Sequence, residues 1–178
     1  MSVATYEKGI FYNVVLVRER HFFWGVDMVV TFCGHSDFKE EYFPKEEFLR
    51  ILEEKVGDKP VEFLLGNKGY FDYYAHKCCL EYKKTHPNAR VILVTPYITP
   101  QHQEYHLKYA TDFDEIVYPP IETVPLRFAI LARNQWMVDK ADLLIAYVDV
   151  GMGGAYKTYM YAKRKKKEII NYTNKDFI

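Results

Sequence analysis

Residues 142–158 of this sequence read DLLIAYVDVGMGGAYKT, and they join the pattern of a buried strand to that of a helix. Residues 143–148 form an uninterrupted apolar run, which is typical of a strand buried on both faces of a sheet. The glycines that follow open a segment of helical period, predicted over residues 155–167. A buried strand that passes through a glycine-rich turn into a helix is the repeating unit of a parallel α/β sheet.

Further strands and helices alternate on the amino-terminal side of this stretch. Short β-branched runs predict strands, and segments with one apolar stripe predict helices. The predicted strands are 28–33, 61–65, 90–94, the weaker 115–118, 142–148 and 168–172, and the predicted helices are 44–56, 71–85, 126–140 and 155–167. This order predicts an α/β fold. We expect a Rossmann-like, open, mainly parallel sheet with helices on both faces, forming a single domain over residues 28–178.

Residues 1–27 do not fit the alternation, and we treat them as an N-terminal extension. The run YNVVLVR at residues 12–18 predicts either an extra edge strand or an arm without regular structure. A third interpretation is that Met28 is the natural start of the chain and that residues 1–27 do not belong to the native protein.

The composition excludes several classes of protein. Of the 178 residues, 49% are apolar and 27% charged, so the chain can bury a core and is not mainly disordered. The 24 basic and 24 acidic residues balance, which argues against a dedicated binder of duplex DNA and against a polybasic membrane anchor. No apolar run spans a bilayer, no secretory signal is present, and the three cysteines lack zinc-ligand spacing. We therefore expect a cytoplasmic protein with reduced, buried thiols, no metal and no membrane partner.

The turn that follows the 142–148 strand is the strongest candidate for a ligand site. Gly151, Gly153 and Gly154 let the backbone approach a ligand closely, and the first-turn N–H groups of the next helix attract an anion. Asp149 lies before the turn, and Thr158 adds a hydroxyl after it. The Walker A and GxGxxG patterns both fail, because a tyrosine stands where each requires glycine. The alternative interpretation is a glycine turn that binds nothing.

The loops after the other strands carry further candidates, because ligands of parallel sheets bind outside the carboxyl ends of the strands. These candidates are Gly34, His35, Gly66, Gly69, Asp72 and Thr95. Asp72 is interpreted either as a cap of the helix that follows or as a hydrogen-bond partner of a ribose or base. A lone histidine such as His35 is more often structural than catalytic, and its alternative role is to close the pocket.

The helix predicted over residues 126–140 contains one anomaly. Its apolar stripe runs through Leu126, Ile130, Met137 and Ala141, and Asn134 falls into the gap of that stripe. An inward-facing amide is costly unless it is paired, so Asn134 bonds either to nearby backbone or to a ligand. The neighbouring Arg133 is a natural partner for a phosphate or carboxylate.

Four motifs together resemble the SLOG superfamily. They are TFCGH at 31–35, GNKGYFD at 66–72, RNQWMVDKADLLIAYVD at 133–149 and GMGGAYKT at 151–158. Within the superfamily, the chain is similar to the YpsA-like proteins of bacteria, over about residues 28–172. The resemblance implies a Rossmann-like fold that binds a nucleotide or nucleotide-derived ligand, with the glycine loops forming the pocket. The resemblance is also compatible with a homodimer.

Two branches of the superfamily qualify this expectation. The segment from Arg133 to Thr158 is similar to the LOG enzymes, which hydrolyse cytokinin riboside monophosphates. Aligning the paired glycines places Met160 where those enzymes have their catalytic glutamate, and Asn134 where they have lysine. The resemblance therefore implies a phosphate site without the hydrolytic carboxylate. The GNKGYFD motif is also similar to one in DprA, a relative that binds single-stranded DNA.

Three functional hypotheses follow, and none implies a certain cofactor beyond a nucleotide-type ligand. The first is a sensor or binding module for a small nucleotide derivative. The second is a hydrolase of an N-glycosidic or phosphoester bond, with Asp72, Asp149 or His35 as general base. The third is single-stranded nucleic-acid binding through stacked tyrosines, and the zero net charge argues against nucleic acid as the partner.

Overall fold

The computed structural model describes residues 14–16, 25–98 and 112–173 of the chain. These residues form one α/β domain around a seven-stranded sheet in which every pair of neighbouring strands is parallel. The strands are β1 (Val14–Leu16), β2 (Met28–Gly34), β3 (Val61–Leu65), β4 (Ala89–Val94), β5 (Glu115–Tyr118), β6 (Leu143–Tyr147) and β7 (Glu168–Asn171). Their order across the sheet is β1-β5-β4-β3-β2-β6-β7. The predicted Rossmann-like fold class is thus confirmed.

The helices of the described residues lie close to their predicted positions. They are α1 (Lys45–Lys55), α2 (Tyr70–Lys83), α3 (Ala129–Lys140) and α4 (Gly153–Arg164), with 3-10 turns at Glu40–Tyr42 and Leu126–Phe128. β1 lies within the run for which an extra edge strand was one prediction, and it pairs with β5. Residues 1–13 and 17–24 lie outside the described residues, so the boundary at 27/28 remains a prediction.

One predicted detail of the helix over 126–140 is wrong. Leu126 was expected on the same buried stripe as Met137 and Ala141, but it is 74% exposed, whereas those two residues are buried. The reason is that residues 126–128 form a 3-10 turn after Pro125, and α3 itself begins at Ala129. A 3-10 turn advances three residues per turn rather than 3.6, so Leu126 falls out of phase with the α-helical stripe.

The helices cover both faces of the sheet because successive strand residues point to opposite sides. On one face, Val30 and Phe32 of β2 pack with residues of α1 and α2 in the largest apolar cluster. On the other face, Val29 packs towards α3, and Cys33 packs towards α4. The central strands are therefore buried on both sides, as their continuous apolar runs predicted.

The three cysteines are all free and buried. Burial raises the pKa of the Cys33, Cys78 and Cys79 thiols, and for Cys33 the nearby Asp72 carboxylate acts in the same direction. Among the helices of the described residues, none has the length and apolar character needed to cross a bilayer.

The sheet order places a topological switch point between β2 and β6. From β2 the chain builds outward through β3, β4 and β5, and it then returns to add β6 and β7 on the opposite side of β2. The loops that leave β2 and β6 therefore depart in opposite directions and leave a crevice at the C-terminal edge of the sheet. Ligands of open α/β sheets bind in such crevices.

A close approach at the end of β2 gives the first prediction. A Cβ atom at Gly34 would overlap the buried ring of Phe71 on α2, whereas a Cβ at Gly154 would meet no heavy atom within 4 Å. Overpacking of a rigid core costs about 1–3 kcal/mol, so Gly34→Ala is expected to lower the free energy of unfolding by that amount. Urea denaturation measures the change, with Gly154→Ala as the matched control that leaves stability equal or slightly higher. Equal losses in the two variants would contradict this account of Gly34.

Candidate functional site

The exits of β2, β3, β4 and β6 form one candidate site at the C-terminal edge of the sheet. The 13 candidate binding residues lie in these exits or in the first two turns of α2, α3 and α4: Gly34, His35, Gly66, Gly69, Asp72, Thr95, Arg133, Asn134, Asp149, Gly151, Gly153, Gly154 and Thr158. The structure joins them in small groups, each through specific contacts. Their roles towards a ligand remain predictions.

His35 joins the exit of β2 to the exit of β6 across the switch point. Its Nε2 atom lies 3.3 Å from the backbone N of Asp149 and 3.4 Å from that of Val150, and it lies 3.2 Å from Asp149 Oδ1. A neutral ring with its proton on Nδ1 accepts from the two N–H groups, while a protonated ring donates to the carboxylate. In either form His35 orients the start of the glycine turn.

Residues 151–154, which we call the glycine cradle, are open above the start of α4. All four residues are exposed, and a Cβ atom on Gly153 or Gly154 would meet no heavy atom within 4 Å. Gly153 has a φ of +84°, a conformation that side chains other than glycine rarely adopt. Met152, which precedes the first turn of α4, has no side-chain oxygen to cap it, and that turn contains no acidic residue. The cradle thus combines accessible backbone donors with a positive helix end.

The side chains of Thr158 and Asn134 point towards each other and form a hydrogen bond. The Thr158 hydroxyl donates to the Gly154 carbonyl at 2.9 Å and accepts from Asn134 Nδ2 at 3.1 Å, and Thr158 is only 1% exposed. Asn134 therefore satisfies its predicted inward amide with a side chain of α4. The pair fixes α3 against α4, directly beneath the cradle.

Arg133 and Asp72 converge under the loop that leaves β3. Arg133 is 1% exposed, its Nη1 donates to the Val94 carbonyl at 2.9 Å, and its Nε has no hydrogen-bond partner. Asp72 Oδ2 accepts from the Lys68 N–H at 2.9 Å, so this carboxylate organises the loop before α2. A Cβ atom at Gly66 would overlap both charged groups, which explains why this position suits glycine.

Burial dominates the electrostatics of this pair. It raises the pKa of the Asp72 carboxyl, while the Arg133 guanidinium and the Lys68 N–H pull that pKa down. Burial also disfavours the charged form of Arg133 and therefore lowers its pKa, and the Asp72 charge opposes that shift. Each charge thus favours the ionised form of the other, although no direct ion pair joins the two side chains.

The remaining candidates have local structural roles. Gly69 has a φ of +105°, and a Cβ there would lie 2.9 Å from Ser36 Cα, so this glycine lets the β2 and β3 exits touch. Thr95 is 1% exposed; its hydroxyl donates to the Tyr97 carbonyl at 2.9 Å and accepts from the Tyr97 N–H at 3.3 Å. These residues shape the edge of the sheet.

The sequence patterns did not predict a set of exposed apolar side chains in the segments that precede α3 and α4. Val150 and Met152 lie in the turn itself, while Leu126 and Phe128 precede α3. The signal available in the sequence was the position of Val150 and Met152 on either side of Gly151, in a turn predicted to face solvent. Met160, at the position of the LOG glutamate, is partly buried and packs against the apolar cluster between α4 and the sheet.

The raised pKa of Asp72 gives the second prediction. Since the folded protein holds this proton more tightly than the unfolded chain, the free energy of unfolding falls as pH rises above the ordinary value of 3.8. Asp72→Asn removes this dependence, so the variant is expected to gain stability relative to the wild type between pH 4 and pH 7. Urea denaturation across this range measures the difference, with the exposed Asp37→Asn as control. A difference that is constant or of opposite sign would refute the assigned burial effect.

Comparison with known sequences gives a distant relative. No family model matches the chain. A UPF0398 protein of Halalkalibacterium halodurans is 25% identical over 133 residues, which cover 70% of this chain and 67% of that protein.

Comparison with solved structures gives DprA, the DNA processing protein A. The Streptococcus pneumoniae protein matches with a TM-score of 0.58 at 17% identity, over 80% of this chain and 49% of that one. The Helicobacter pylori protein matches with a TM-score of 0.55 at 16% identity, over 80% and 63%. This chain thus spans less than two thirds of either structure. It is similar to a UPF0398 protein of the YpsA-like family and shares its fold with DprA, which is consistent with the predicted resemblance to the SLOG superfamily.

Proposed function

We propose that this protein binds a nucleotide or a nucleotide-derived ligand at the C-terminal edge of its sheet, as a sensor or binding module. The observation that carries the proposal is the open glycine cradle at the start of α4, located at the topological switch point. The cradle offers backbone N–H groups and a positive helix end to an anionic group such as a phosphate.

Two neighbouring groups support the binding of a phosphorylated sugar. The buried Arg133 adds a positive charge at the same edge of the sheet. The Asp149 side chain is 40% exposed beside the cradle, and its carboxylate can accept hydrogen bonds from sugar hydroxyls. The Arg133 guanidinium and the Asp149 carboxylate are local charges. A small ligand needs only a few such groups, so the zero net charge of the chain does not argue against it.

Gly154 allows a direct test of the anion site. In Gly154→Glu a carboxylate would occupy the cradle and repel phosphate, although an acid in the first turn of α4 favours folding by about 0.3–1 kcal/mol. We expect saturating nucleotide, at about 100 times Kd, to stabilise the wild type by roughly 2.7 kcal/mol and to leave Gly154→Glu unchanged. Melting temperatures with AMP, ADP, ATP, NAD, ADP-ribose and cyclic nucleotides measure the effect.

Gly154→Gln is the matched control for this experiment. It has nearly the same size as the glutamate variant and lacks the charge, so it is expected to retain more affinity than Gly154→Glu. Equal affinities of these two variants would contradict the anion site. The absence of any shift of the wild type across the panel would reject the proposed function. Release of free base from a bound nucleotide in the same samples would assign the protein to the hydrolases instead.

Single-stranded DNA is the second candidate ligand. It is favoured by the likeness of fold to a DprA whose structure concerns its single-stranded DNA binding mode. Exposed tyrosines at the start of α2 and in the 3-10 turn before α1 support it, namely Tyr42, Tyr70 and Tyr73. Lys39 lies 5.7 Å from the Tyr42 ring centroid, and Lys77 lies 5.4 Å from that of Tyr73. Aromatic rings beside cations are typical of surfaces on which unpaired bases stack.

Glu40 weakens this second candidate. Its carboxylate lies 3.2 Å from Lys77 Nζ and 3.4 Å from the Tyr70 hydroxyl, so part of the positive charge is already paired. If oligonucleotides bind here, Tyr73→Ala is expected to reduce affinity by about 1–3 kcal/mol, and binding should weaken with salt. Fluorescence anisotropy with an oligothymidine measures both effects. Tyr161→Ala, on the distant end of α4, is the control, and equal losses in the two variants would reject the tyrosine surface.

A further inference from the structure

Four exposed apolar side chains lie in the two segments that precede α3 and α4. Met152 is 69% and Val150 46% exposed in the turn before α4, while Leu126 is 74% and Phe128 47% exposed before α3. Scattered apolar residues on a surface need no explanation, but a cluster at a binding edge does. We refer to these four residues as the apolar rim.

The register of α3 and α4 brings the two halves of the apolar rim together. Both helices run antiparallel to the strands of the sheet and therefore parallel to each other. The hydrogen bond from Asn134 to Thr158 joins residues that each lie five positions after the first residue of their helix. The two helices consequently start side by side, at the same height above the edge of the sheet. Leu126 and Phe128 thus precede one start, and Val150 and Met152 the other.

The exit of β4 borders the same region. Tyr97 packs against the cluster that contains Ala129, the first residue of α3, and the next residue, Ile98, is 40% exposed. Within the rim, the Arg127 guanidinium lies 4.8 Å from the centroid of the Phe128 ring. The rim therefore offers an aromatic face with a cation stacked on it, next to an anion cradle.

We propose that the apolar rim receives the base of the nucleotide whose phosphate lies in the glycine cradle. This inference rests on the proposed function and adds the substrate class. The ligand must carry a planar aromatic base and not only a sugar phosphate. Continuity supports this occupant, since Val150 and Met152 flank Gly151 within the turn that forms the cradle. Contact with Phe128 and Met152 selects by ring area, so purines bind more tightly than pyrimidines at this site.

Calorimetric titration of the full chain with AMP, CMP and ribose 5-phosphate tests the inference. Stacking of one base corresponds to about 5- to 150-fold in affinity, so AMP is expected to bind tighter than ribose 5-phosphate by a factor in this range, with CMP between them. Phe128→Ala and Met152→Ala are expected to weaken AMP by several-fold, and Phe128→Ala, which lies outside the cradle, is expected to leave ribose 5-phosphate unchanged. Because both side chains are largely exposed, neither change endangers folding. Tyr161→Ala, near the C-terminal end of α4, is the control and should alter neither ligand.

Each outcome bears on a separate claim. If AMP and ribose 5-phosphate bind equally well, the rim does not hold the base, although the anion site stands. If neither binds and no nucleotide of the panel above shifts the melting temperature, the proposed function itself fails. If Phe128→Ala turns a dimer into a monomer in sedimentation while the AMP to ribose 5-phosphate ratio is unchanged, the rim is an interface between two copies of the chain, and the inference is overturned.

Discussion

Strand β2 pairs with β3 on one side and with β6 on the other, and this double pairing positions both layers of helices. Val30 is aligned with Phe63 of β3 and with Leu143 of β6, so one residue sets the register of both neighbours. A shift by one residue would turn every side chain of β2 to the wrong face and disrupt both layers of helices at once. The same pairing carries His35 to the start of the β6 exit. The C-terminal edge of the sheet is therefore as precisely placed as the core beneath it.

The architecture was predictable because it follows from local patterns. Apolar runs in strands buried on both faces and apolar stripes in helices are encoded within about ten residues of sequence. The glycines at 34, 66 and 69 were recognisable as turns, but their reasons are long-range: Gly34 lies against Phe71, and Gly66 lies against Arg133. Such contacts depend on how loops from different strands meet, which a single sequence does not encode locally.

The candidate side chains show where prediction from sequence ends. That Asn134 is turned inward was predictable from its position in the helical stripe, but its partner Thr158 was not, since the bond depends on the relative height of two helices. The exposure of Leu126 was mispredicted because a 3-10 turn changes the angular period. Burial of Arg133 with an unpaired Nε is energetically costly, and the remaining structure must supply the stability that offsets it. Functional or strained positions commonly carry such a cost.

The buried cysteines have a consequence for how this protein responds to oxidants and alkylating reagents. Reactions of this kind need a thiolate that is accessible to the reagent, and here burial both hides the sulfur atoms and holds their protons. Cys33 lies on β2 itself, beside the switch point, while Cys78 and Cys79 lie in the middle of α2. The rate at which a reagent labels each thiol thus reports how often the central strand, or the helix that covers it, opens locally.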